Sequence, residues 1–82
     1  MQNFITTASN GSGGRIVRDL IDGNETRYDT GSPNSLSKDQ CVSAAGQRQN
    51  ATIQGLLDDG FASKADLYEV NKLRAAYQRS VA

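Results

Sequence analysis

Only 16 of the 82 residues are Leu, Ile, Val or Phe, and this shortage constrains the fold more than any motif. A domain this small buries a modest share of its surface even when rich in apolar residues. With a fifth of its residues able to anchor a core, little stability is expected from the chain alone. Composition this thin signals disorder when net charge is high, but here nine basic and nine acidic residues cancel. The remaining expectation is a short chain that completes its fold against something larger.

Composition also sets aside several function classes. The basic residues are scattered among acidic neighbours, so no electrostatic footprint points to nucleic acid or to an anionic membrane. No apolar run approaches the roughly 20 residues that span a bilayer. The opening MQNFITTASNGSGG lacks the charged start and apolar middle of a signal peptide, so a cytoplasmic location is expected. Cys41 is the single cysteine and there is no histidine. It reads as a small buried apolar residue, since no Cys–His pair exists to activate it.

Along the chain, residues 1–14 carry no charge and read as an extended Gly/Ser-rich arm. Phe4 and Ile5 are its two anchors, and Gly11, Ser12, Gly13 and Gly14 form a joint behind them. The arm is either a tail that touches nothing or a segment ordered on a neighbouring subunit. Residues 15–82 read as a small helical domain. Ile16, Val17, Leu20 and Ile21 line one face of a helix over about 15–23, with Ser12 as its cap. Gly31, Ser32, Pro33 and Asn34 mark a loop. Ser37 and Gln40 form a capping box that opens a helix over 38–58, with a polar waist from Gly46 to Thr52 and a stop at Gly60. Ser63 and Asp66 open a helix over about 64–80, whose stripe is Leu67, Val70, Leu73 and Tyr77. That helix packs on the second helix or on another chain. The expected fold class is therefore mainly α: two or three short helices, an extended N-terminal arm and no sizeable independent core.

Chemistry is scarce. Gly11–Gly14 lacks the Gly-Lys-Ser/Thr of a phosphate loop and the preceding strand and third glycine of a dinucleotide fingerprint. Asp58, Asp59, Asp66 and Glu69 do not keep the register of a calcium loop. Asn50-Ala51-Thr52 matches the glycosylation pattern by chance, inside a predicted helix. Tyr28, Tyr68 and Tyr77 come without a basic groove, so they suit a protein interface better than base stacking. No catalytic, cofactor or metal residue is expected, and the chain reads as a non-enzyme without cofactor or small-molecule substrate. The expected partner-binding residues are Phe4, Ile5, Leu67, Val70, Leu73 and Tyr77.

Two stretches, Gly14-Arg15-Ile16-Val17-Arg18-Asp19-Leu20-Ile21-Asp22 and Ile53-Gln54-Gly55-Leu56-Leu57-Asp58-Asp59-Gly60-Phe61, sit behind the uncharged arm. In this texture the chain resembles the small structural (virion) proteins of tailed bacteriophages. The resemblance is compositional and covers under a third of the chain. It implies a capsid- or tail-associated component in many symmetry-related copies, located in the virion, and carries over no functional residue. The leading expectation is thus a structural or assembly protein on a larger protein scaffold. The alternative is a small cytosolic regulator that binds one protein target through its C-terminal helix. A helix-turn-helix DNA binder is a third reading, weakened by the lack of a basic recognition face.

Overall fold

The computed structural model describes residues 4–9, 15–28 and 37–82. The Gly11–Gly14 joint, the Ser12 cap and the Gly31–Asn34 loop lie outside these residues. Three strands, β1 (Ile5–Ser9), β2 (Arg15–Asp19) and β3 (Glu25–Tyr28), form an antiparallel sheet in the order β1-β2-β3. Two helices follow, α1 (Lys38–Asp58) and α2 (Val70–Val81), with a 3₁₀ helix at Lys64–Tyr68 between them.

The mainly-α expectation is therefore corrected: the fold joins a three-stranded sheet to helices. The helix expected over 15–23 is strand β2 and a chain reversal. Its two apolar pairs, Ile16-Val17 and Leu20-Ile21, satisfy a helical spacing, but other local forces decide. Ile16 and Val17 are β-branched and fit a pleated surface. Asp19 then turns the chain: its Oδ1 accepts from Ile21 N–H at 2.7 Å and from Asp22 N–H at 3.3 Å. Gly23 N–H donates to the Asp19 carbonyl at 3.0 Å, with glycine at φ +77° in the left-handed region. Asp19 N–H closes the reversal on the Asn24 carbonyl at 2.9 Å. With period two, Val17 and Asp19 face inward and Arg18 outward.

The arm is corrected as well. Ile5–Ser9 pairs with β2 from Ile5↔Asp19 to Ser9↔Arg15. Phe4, one residue ahead, is 8% exposed and packs with Ile21, Ile53 and Leu73. A second cluster joins Val17 and Tyr28 of the sheet to Cys41 and Ala45 of α1. The chain thus closes a core of its own, and the arm supplies part of it.

Helix α1 runs across the inner face of the sheet. Its capping box is complete: Gln40 N–H donates to Ser37 Oγ at 3.2 Å, and Ser37 N–H donates to Gln40 Oε1 at 2.8 Å. At its other end Gly60, at φ +79°, donates to the Leu57 carbonyl at 3.3 Å, and Phe61 N–H donates to the Leu56 carbonyl at 2.9 Å. This is the Schellman arrangement, with Phe61 and Leu56 as its apolar pair. The helix expected over 64–80 is divided. Glu69 is extended (φ −126°, ψ 103°) and separates the 3₁₀ helix from α2. In one unbroken helix Leu67 and Leu73 would stand about 120° apart around the axis; the break resets the phase, and both pack on the Phe4 cluster.

Candidate functional site

A polar lock between the two apolar clusters sets the position of β1. Gln49 is fully buried and Asp19 is 1% exposed. Gln49 Oε1 accepts from Phe4 N–H at 2.8 Å. Its Nε2 donates to the Phe4 carbonyl at 3.0 Å and to Asp19 Oδ1 at 2.9 Å. One α1 side chain thereby holds the start of β1 and the carboxylate that turns β2 into β3. Asp19 Oδ2 is buried and has no partner among the described residues. Leu20 adds a last tie: its N–H donates to the Phe4 carbonyl at 2.9 Å, and its own carbonyl accepts from Arg74 Nε at 3.0 Å.

Beyond Phe4, β1 leaves the core. Thr6, Thr7, Ala8 and Ser9 are all exposed, and Ile5 is half-buried. The Leu20-to-Phe4 bond fixes which backbone groups pair inside the sheet. In an antiparallel ladder, hydrogen-bonded and non-hydrogen-bonded pairs alternate. Thr6↔Arg18 and Ala8↔Ile16 are therefore the bonded pairs, and the N–H and C=O groups of Ile5, Thr7 and Ser9 point to the open edge. Among the described residues no strand pairs with that edge. Beside it lies an open hollow lined by Thr7, Ala8, Ser9, Arg15, Tyr28 and Lys38, so α1 does not cover the far half of the strand.

The opposite edge differs. By the same alternation, β3 turns the backbone of Glu25 and Arg27 outward, and both carry charge. Glu25 is also engaged across the outer face, where Arg18 Nε donates to its Oε1 at 2.7 Å. Charged side chains are a common way to blunt an edge strand. The uncharged β1 edge, Ile-Thr-Thr-Ala-Ser, has no such guard.

The expected partner-binding residues fall elsewhere. Phe4 and Leu73 lie inside one buried cluster, and Leu67, Val70 and Tyr77 pack partly buried against it. Ile5 packs against the other cluster from β1. The first five are brought together, but as the chain's own interior. The large apolar residues left exposed are Tyr68, at 70%, and Val81, at 63%. Gln49 and Thr7 escape the sequence reading. For Gln49 a signal existed: Cys41, Ala45, Gln49 and Ile53 recur at steps of four, so an amide occupies an inward position of the stripe. For Thr7 the signal depends on knowing the register.

Little else in the described residues carries chemistry. No group of three or more His, Cys, Asp or Glu stands together to hold a metal ion among them. Cys41 is a buried free thiol. No helix among them is long and apolar enough to cross a membrane. Asp66 is held below its ordinary carboxyl value, first by the Ser63 N–H that donates to it. Burial opposes this; the Ser63 hydroxyl, Lys72 and Arg79 add to it. Its role is to open the 3₁₀ helix. Comparison with protein families, curated proteins and solved structures returned no match.

Proposed function

We propose that this chain is a structural subunit that takes its place in a larger protein assembly by strand addition at β1. The observation that carries the reading is the unguarded edge: an uncharged strand, exposed along Thr6–Ser9, with outward backbone groups at Ile5, Thr7 and Ser9. Main-chain pairing along such an edge gives affinity without a deep pocket or a charged patch. Net neutrality suits close packing of many copies. A tailed-phage particle is the setting that the sequence resemblance implies. On this reading the chain needs no cofactor and turns over no substrate.

The single-target regulator has less support. Its contact helix, α2, turns Leu73 and Ala76 into the chain's own core, which leaves a largely polar outer face. Sedimentation velocity on the full chain, alone and co-expressed with the proteins encoded beside it, tests the proposal. Association beyond the monomer, lost when β1 is altered, is the expected result. A chain that stays monomeric under every condition and joins no larger particle would overturn it.

A further inference from the structure

We infer that the strand added at β1 is β1 of a second copy, paired antiparallel about a twofold axis through Thr7. The inference rests on the assembly reading above and names the partner. Three observations lead to it.

The first is parity. Centring the pair on Thr7 sets Thr7 opposite Thr7 of the other copy and Ile5 opposite Ser9. Ile5, Thr7 and Ser9 are the residues whose backbone groups face the edge. Every outward N–H then meets an outward C=O, as hydrogen-bonded antiparallel pairs require. A centre between residues breaks this match, and one on Thr6 or Ala8 keeps it for only two of the three outward residues, whereas the centre on Thr7 pairs all three. A twofold axis needs a self-complementary patch, and this strand is one.

The second is charge. No charged side chain lies within Ile5–Ser9, so the strand itself carries no charge to repel an identical strand; Arg15 and Lys38 stand beside it, lining the hollow. Threonines facing each other across a bonded pair are favourable neighbours.

The third is room. The axis runs perpendicular to the combined sheet, so both copies keep α1 on the same side. The hollow lined by Thr7, Ala8, Ser9, Arg15, Tyr28 and Lys38 leaves open space beside that axis, with the first residue of α1 at its rim. The product is a continuous six-stranded sheet with β3, the charged strand, at both ends.

The contact is small, so the dimer is reversible and depends on concentration. Thr7→Pro removes an outward N–H and leaves the β2 pairing intact, because proline is tolerated where the N–H faces away from the sheet. Sedimentation equilibrium of the full chain should show dimers at high micromolar concentration. Thr7→Pro should weaken them by roughly tenfold or more, with the circular dichroism spectrum unchanged. Thr7→Lys and Thr7→Glu should each give monomers, and an equimolar mixture of the two should recover a heterodimer. That recovery requires the two positions to face each other, and it decides the matter even if the proline variant misfolds. A wild-type dimer unmoved by all three substitutions would place the contact on another face, such as the β3 edge. It would refute the Thr7 axis and strand addition at β1 for that contact, leaving only assembly through another face. A wild-type monomer that still enters a larger particle refutes self-pairing alone. A monomer that enters none refutes both.

Discussion

Replacing Gln49 by leucine removes the side chain whose hydrogen bonds tie Phe4 and Asp19 to α1. Leucine nearly matches its size, so little cavity opens and the loss is mainly of hydrogen bonds. The Phe4 carbonyl keeps Leu20 N–H at 2.9 Å, and Asp19 Oδ1 keeps Ile21 N–H at 2.7 Å. The Phe4 N–H loses its bond to Gln49 Oε1, and among the described residues no acceptor replaces it. Orphaning a buried donor costs about 1–3 kcal/mol, and losing a bond to a charged acceptor about 1.5–3 kcal/mol, so the total is about 2.5–6 kcal/mol. A chain of 82 residues has about 4–12 kcal/mol to lose at the usual ~0.05–0.15 kcal/mol per residue. Urea denaturation followed by circular dichroism, at low chain concentration, should therefore show Gln49→Leu largely unfolded or with a much lower midpoint. Gln49→Glu gives an internal control. It sets a carboxylate against Asp19 in a buried site, and both burial and the like charge raise its folded-state pKa above about 4.3. A raised carboxyl pKa means the penalty is full above that folded value and relieved as pH falls toward the unfolded one. This variant should be weak at neutral pH and partly recover in mild acid. A Gln49→Leu midpoint within about 1 kcal/mol of wild type would show that the lock does not carry the fold.

Leu73 is fully buried in the Phe4 cluster, so Leu73→Ala should cost about 2–5 kcal/mol in the same denaturation experiment; a neutral result would mean α2 is undocked in solution. Cys41 is 1% exposed and should react with a thiol reagent only as fast as the native state opens; stoichiometric labelling at once, without denaturant, contradicts its burial. Asp66 is depressed from its ordinary 3.8 chiefly by the Ser63 N–H. The stability it contributes is therefore present above that value and lost as pH falls through the lower folded one. Asp66→Asn should flatten this part of the acid limb between about pH 5 and pH 2; identical acid limbs for the two chains would refute the assignment.

What the sequence made legible is local. The Ser37–Gln40 box and the Gly60 stop need only residues within one turn of each other, and their bonds are in place. The sheet was not legible, for physical reasons visible at Ile16–Asp22. Two apolar pairs four residues apart suit a helix face, and they equally suit a strand followed by a turn whose Ile21 side chain tucks inward. What separates these is the Asp19 carboxylate, which accepts both turn amides. Its power comes from being buried beside Gln49, thirty residues away in sequence. The arm misled for a related reason. Phe4 looked like an anchor for a foreign surface because its partners, Ile21, Ile53 and Leu73, lie in three separate elements. The waist of α1 is polar in sequence, yet its Gln49 is the least exposed polar side chain described.

These corrections change how the N-terminal strand is to be understood. An arm that is free in the isolated chain must lose backbone freedom on binding, at about 1–2 kcal/mol per residue. Five residues of edge pairing return too little to offset that, since each net hydrogen bond contributes only about 0.5–1.5 kcal/mol. β1 does not start free. Phe4 is seated in the core, Gln49 grips its backbone on both sides, and the β2 pairing extends to Ser9. The ordering cost is met within the fold, by groups far from the edge, before any partner arrives. A strand prepared in this way can associate through main-chain bonds alone, which is what an uncharged Ile-Thr-Thr-Ala-Ser edge has to offer. The fold and the proposed assembly then depend on the same few atoms. Weakening the Gln49 lock should loosen the edge before it unfolds the chain, so association through Thr7 should fail at lower urea than the helices melt. Simultaneous loss of both, by sedimentation and circular dichroism on one sample series, would mean that the edge draws nothing from the lock beyond the stability of the whole fold.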